Sequence, residues 1–378
     1  MTARRLAAAL ALLLAPPLAA QQAQVWAGAN DNPNPLINAT FVSPTMTYGT
    51  EVANSGTTTG LTTSLAFNQV RAFKGAPGPC SLVAQTNNGT NNVSIYQVSP
   101  TYALTHVTGS PFTTGAGTQS IAWAPDGGAL YVPLAVSGAS NTLTFTVSCT
   151  GGTVTVTNAG TVALTGFNLL RDAEVVGAGT GTHLCVSGTN SNNVGCFPIN
   201  GTTRLPGTTA VNTVAVTNVR GLRIAGNGCG WAGVGSAGTV QGIQVTAGSV
   251  ALTNTAVNPT NPRYGAVSPD GTLAAVGGFG TQFGLFSIAP ATCNLTQVTT
   301  NNNGIATSLV EYMAFDSSNR LYVADSLANQ IRVFQASAGG LSAPLISTTN
   351  HATMNAPAGI DVAISTTVPV ELQRLSAE

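Results

Sequence analysis

Residues 312–334 read Tyr312-Met-Ala-Phe-Asp-Ser-Ser-Asn-Arg-Leu-Tyr-Val-Ala-Asp-Ser-Leu-Ala-Asn-Gln-Ile-Arg-Val-Phe334, and the fold follows from them. A short apolar run, a polar turn and a second apolar run precede an Asn-containing loop and a third run that alternates polar and apolar. Runs this short, bounded by turn residues, suit strands and not helices. The same order recurs at Ile121–Val132 with Asn141–Val147, and at Tyr264–Val276 with Phe283–Ile288. Pro125-Asp126-Gly127 and Pro269-Asp270-Gly271 supply the turns: proline presets φ, aspartate bonds its own backbone and glycine tolerates positive φ. Continuous apolar runs suit strands buried on both faces, whereas alternation, as in Thr142–Val147, suits a half-exposed strand.

Looser copies occupy 65–107, 167–213 and 219–256, making six units of about forty-five residues. The two ends supply a seventh. Gly359–Ile364 reads as a first strand without partners, and Val25–Gly28, Asn38–Val42 and Tyr48–Val52 read as the missing outer three. Closing a ring with strands from both ends removes the exposed sheet edge that invites aggregation. The expectation is an all-β, seven-bladed β-propeller of four-stranded antiparallel blades, forming one domain over 21–364 and followed by a tail at 365–378. A parallel β-helix is the runner-up.

Composition narrows the function classes. Only 6% of residues are charged, 12 basic against 12 acidic, where about a quarter is usual. No electrostatic footprint for nucleic acid or an anionic membrane exists. Hydrophobic content of 43% argues against disorder, and 43 glycines without a triplet period point to many turns.

Arg4 and Arg5, the Leu6–Leu14 apolar run and Leu18-Ala19-Ala20 form the pattern of a signal peptide over 1–20. That run is too short to span a bilayer, and no later segment is a candidate span. The chain is therefore expected to be exported, to periplasm or extracellular medium. Export makes the six cysteines an oxidising-compartment set. Cys185 and Cys196 flank a turn-rich stretch symmetrically and are expected to pair across a hairpin. Cys80 with Cys149, and Cys229 with Cys293, have similar separations and are weighed as pairs against free buried thiols.

Leu321-Tyr-Val-Ala-Asp-Ser with Asn329–Phe334 resembles an NHL repeat. Ser268–Gly271 and Ala124–Val132 are similar to YVTN and lactonase-type propeller repeats, and Gly109–Phe112 is similar to a strand end in phosphogluconolactonase-like proteins. The resemblance covers roughly 22–364 and implies the propeller fold. A lactonase-type activity would imply a His, Glu and Arg set in the channel. Glu174 or Glu311 with Arg171, Arg223 or Arg263 could supply part of it.

Charge placement suggests where a ligand would sit. Arg171, Asp172, Glu174, Arg220, Arg223, Arg263 and Glu311 fall where one repeat hands over to the next, which in a propeller lies near one channel mouth; Gln119, Asn168, Tyr264 and Tyr312 neighbour them. Arginine forks suit carboxylate or phosphate. The expected ligand residues are Arg171, Glu174, Arg220, Arg223, Arg263, Tyr264 and Glu311, against the alternative that these charges satisfy one another. Asp126, Asp270 and Asp316 read as turn formers; Trp26, Trp123 and Trp231 read as packing. His106, His183 and His351 fall outside the mouth, and no G-x-S-x-G, H-E-x-x-H or Walker spacing occurs. The leading expectation is a non-catalytic binding scaffold for a small anionic ligand, glycan or protein partner, with no cofactor. Alternatives are a lactone hydrolase, in which Glu174 or Glu311 would serve a divalent metal, and a structural component of an envelope or extracellular assembly.

Overall fold

The computed structural model describes residues 22–29, 36–42, 45–52, 70–72 and 80–364, apart from 116, 139, 178–181, 259–260, 280–281, 300–308, 311, 326–328 and 346–356. The segments 1–20 and 365–378 and the residues Glu311 and His351 lie outside that set. Each repeat is one antiparallel sheet, and there are seven. Blades I to VI begin with the inner strands Val70–Ala72, Ala122–Trp123, Leu170–Val176, Val219–Ile224, Asn261–Val267 and Met313–Phe315. Blade VII takes its inner strand, Pro357–Ile364, from the far end of the sequence and its outer three, Gln22–Ala29, Leu36–Val42 and Thr45–Val52, from the near end. Val25 lies opposite Val362 and Trp26 opposite Asp361. The inner strands touch in cyclic order and the ring closes. Among the described residues no helix is long and apolar enough to cross a membrane.

The core is divided into seven clusters, one at each blade interface. This follows from strand periodicity, since successive side chains point to opposite faces and each face meets a different neighbour. Leu130 and Val132 face blade I, whereas Ala129 and Tyr131 face blade III. Second strands such as Cys229–Val234 and Arg320–Asp325 are buried throughout, as their continuous apolar runs imply. The alternating stretch Thr142–Val147 is a correction. Thr142 and Thr144 are fully buried rather than solvent-facing, because their face of blade II is covered by blade III.

Three covalent links reinforce the ring. Cys185–Cys196 joins directly opposed residues of blade III, as expected. Cys80–Cys149 ties blade I to blade II, and Cys229–Cys293 ties blade IV to blade V. Amide side chains do similar work without charge. Asn212 Nδ2 donates to Val250 O at 2.8 Å, while Val250 N donates to Asn212 Oδ1 at 2.7 Å. Asn254 repeats this with Leu295 O and N, at 2.8 Å each. Each asparagine imitates one rung of a β-ladder between the outer parts of consecutive blades, III to IV and IV to V.

Two stability predictions follow. Asn212→Ala and Asn254→Ala should each cost about 1–3 kcal/mol in denaturant unfolding, since two backbone groups lose their partner. Removing Cys80–Cys149 or Cys229–Cys293 by paired alanines should cost about 4 kcal/mol, against about 3 for Cys185–Cys196, because the longer loops constrain the unfolded chain more.

Candidate functional site

Three consecutive inner strands carry an arginine in the same local geometry. The pairing register of blade III jumps between Leu170 and Asp172, that of blade IV between Val219 and Gly221, and that of blade V between Pro262 and Tyr264. Arg171, Arg220 and Arg263 are the extra residues at these β-bulges. A bulge leaves its residue out of the ladder and re-aims the side chain. Together with Tyr264, the three guanidinium groups line one cleft at the beginnings of the inner strands. Gly221 permits the spacing: a Cβ there would fall 1.9 Å from Arg263 O, so only glycine lets blades IV and V approach at the mouth. Arg171 donates to Gln119 Oε1, and Arg220 Nε reaches Asn218 Oδ1 at a long 3.5 Å. Burial, then the neighbouring Arg220 charge, hold the Arg171 guanidinium below its usual range, against an opposite pull from Tyr264. Across the mouth, the charge of Arg220 opposes that of Arg171.

Glu174 and Arg223 sit elsewhere than expected. Three residues further along their strands, they belong to a separate tier inside the channel. Glu174 Oε1 accepts from Arg71 Nη2 at 2.5 Å and lies 3.5 Å from Arg223 Nη1. Arg223 also donates to Asp172 Oδ2, to Leu222 O at 2.6 Å and to Gly265 O at 3.0 Å. Asp172 is fully buried; Ser120 Oγ donates to its Oδ1 and Leu222 N to its Oδ2. Asp361 performs the same service at the seam, accepting Ala72 N at 2.8 Å. Burial alone would lower the Arg71 guanidinium, but Glu174, then Asp361 and Asp172, hold it above its usual value. In this tier two guanidinium groups face three carboxylates, and the backbone N–H groups of Leu222 and Ala72 donate to those of Asp172 and Asp361.

The tier divides the channel. A cavity of about 260 Å³ lies among Tyr264, Tyr312, Ile224, Phe315 and Ile360. A second, of about 280 Å³, lies against Trp123 and Pro125. Arg71, Glu174 and Asp361 border both. Tyr264 and Tyr312 stack at 5.3 Å; both line the first cavity, and Tyr264 also borders the mouth cleft, which at about 10 Å³ is the smallest of the three. Trp123 packs against the blade I–II cluster, as expected, and also lines the second cavity and donates Nε1 to Arg71 O at 3.0 Å; Trp26 and Trp231 are buried packing residues.

The sequence reading missed Arg71, whose three-residue strand carries almost no pattern, and Asp361. A findable signal existed for the latter: it interrupts an otherwise apolar inner strand. The described histidines are remote. His106 contacts Ser110 and Tyr96 on blade I, and His183 contacts Thr182 on blade III, its pKa lowered by burial. Asp126, Asp270 and Asp316 cap their turns as expected, accepting from Gly128 N, Thr272 N and Ser318 N. Among the described residues no group of three His, Cys, Asp or Glu is placed to hold a metal ion.

The sequence matches no protein-family model and no curated protein. Solved structures do resemble it. A Bacteroides fragilis protein with a provisional 6-phosphogluconolactonase designation aligns with a TM-score of 0.71 at 13% identity, covering 90% of this chain and 98% of that one. The periplasmic gluconolactonase of Pseudomonas aeruginosa gives 0.65 at 14%, covering 92% and 100%. A functionally unknown protein from Desulfotomaculum acetoxidans gives 0.67 at 11%, covering 91% and 99%. At such identities the likeness is one of fold: the chain is a seven-bladed β-propeller resembling the gluconolactonase-like propellers.

Proposed function

We propose that the chain is an exported binding propeller that takes a small anionic ligand, of the sugar-acid class, at the Arg171–Arg220–Arg263 mouth. The supporting observation is the run of three bulged arginines on consecutive blades. Bulges interrupt a ladder and are kept where a side chain must be aimed. Guanidinium forks match carboxylate and phosphate oxygens, and an incoming anion relieves the repulsion between Arg171 and Arg220. Tyr264, stacked on Tyr312, walls the cleft beside them. The deeper charges act differently: Asp172, Asp361, Glu174, Arg71 and Arg223 hold inner strands of different blades together. Export is supported by three disulfides, which belong to oxidising compartments.

Lactone hydrolysis is the second reading. It is favoured by the names of two similar structures and by the position of Glu174 between two guanidinium groups at the channel cavities. There Glu174 would act on water or hold a divalent metal, and the arginines would stabilise the oxyanion.

Calorimetric titration with gluconate and 6-phosphogluconate should show binding that Arg220→Gln weakens at least about tenfold, a loss of about 1.4 kcal/mol, at unchanged melting temperature. Asp172→Asn should instead destabilise by about 3–5 kcal/mol, since it strands the buried Arg223 charge. Absence of anion binding, or binding indifferent to Arg220→Gln, contradicts the mouth as the ligand site. For the hydrolase reading, turnover of glucono-1,5-lactone, measured with and without divalent metal, should vanish in Glu174→Gln; no turnover in the unmodified protein removes that reading.

A further inference from the structure

The outermost strand of blade II, Thr153–Ala163, differs from the other blade edges. It is eleven residues long and carries no charged residue and no proline. The outer strands of blades I, III and VI are two or three residues long, and that of blade VII contains Glu51. The edge of blade IV is clasped by Asn212, and that of blade V by Asn254. Among the described residues, no backbone group outside the blade II hairpin hydrogen-bonds to the backbone of 153–163, although Gln97 Nε2 of blade I donates to Gly152 O in the turn at 2.8 Å. Protein edges are normally guarded by charge, proline or brevity. This one has a register shift opposite Thr144 and Phe145, which leaves Thr153–Thr157 regular.

Those five residues read Thr-Val-Thr-Val-Thr, the same in both directions. The turn before them, Gly151-Gly152, has φ of +58° and +83° at its two residues, the backbone of a two-residue hairpin turn. Thr150↔Thr153 and Ser148↔Thr155 are therefore the hydrogen-bonded pairs. Val154 and Val156 turn their N–H and C=O groups outward. Thr153, Thr155 and Thr157 are exposed on one face, while Val154 and Val156 pack towards the blade I–II cluster on the other.

We propose that this edge pairs with the same edge of a second copy. A two-fold axis at Thr155 sets Val154 against Val156 of the partner in both directions. Donor then meets acceptor at every outward group, giving four backbone hydrogen bonds. Thr155 faces its own symmetry mate as a close, non-hydrogen-bonded pair. The face of hydroxyls and the face of valines each continue unbroken across the axis, and no charge opposes the approach. The contact is small, which places the association among weak, concentration-dependent ones.

Sedimentation equilibrium of the purified protein should show the weight-average mass rising towards twice the monomer with concentration. Thr155→Lys places two ammonium groups face to face and should abolish the rise; Thr155→Val should preserve it. Under mild oxidation Thr155→Cys should give a covalent dimer, and Thr157→Cys, which meets Thr153 of the second copy, should not. Because Thr155 is exposed, unchanged circular dichroism and melting temperature confirm that these variants fold. A mass that stays monomeric at every concentration, or a dimer indifferent to Thr155→Lys, overturns the proposal.

Discussion

Seven sheets can share an axis only if the last one closes on the first, and here that closure is a single strand pairing. Pro357–Ile364 lies against Gln22–Ala29, residues more than three hundred positions away in the chain. The clusters between blades VI and VII and between VII and I both draw on blade VII. An open ring would expose two apolar faces that have no other cover. Asp361 fastens the seam a second way, reaching from the closing strand to the backbone of blade I. The positions of Arg71, Glu174 and the mouth arginines are all consequences of that closure, since groups from blades I, III, IV and V meet only when the axis exists.

The charges at the centre of the ring serve in two ways. Inside the channel, carboxylates accept backbone N–H groups of another blade and guanidinium groups answer them, so this tier serves register more than recognition. At the mouth, three arginines are gathered and aimed by bulges. Elsewhere Arg204–Asp126 joins blades III and II, Arg320–Asp316 and Arg332–Asp325 lie within blade VI, and neutral amides add to these ion pairs. The asparagine clasps between blades III, IV and V, and the links from Asn227 and Asn319 to Asp270, join neighbours without the desolvation penalty of burying ions.

Much of the fold was legible because blade architecture is local and periodic. Pro-Asp-Gly turns, fully apolar second strands and the orphan strand at 359–364 each have one natural place in a propeller. The turn between them foretold Cys185–Cys196, whereas the similar separations of Cys80–Cys149 and Cys229–Cys293 only made those pairs candidates beside free thiols; both form, each spanning a step between neighbouring blades. The site was legible in composition and not in depth. Arg171, Arg220 and Glu174 look alike as charges in inner strands, yet a bulge at the strand start, invisible in the sequence, separates the arginines from Glu174 by a tier. Arg71 was hidden in a strand too short to show a period. The burial of Thr142 and Thr144 was missed because hydroxyls in alternation suggest solvent, whereas in a propeller both faces of a blade are covered.

Native-state hydrogen exchange across the seam tests ring closure most directly. Closure predicts that the hydrogen-bonded amides of Gln22–Ala29 and Pro357–Ile364 exchange together, as slowly as those of Cys229–Val234 in the middle of the ring, and through the same global opening. Fast exchange of Pro357–Ile364 while the other six blades stay protected would mean that the last strand does not belong to the first sheet, and the shared axis with its two tiers of charge would go with it.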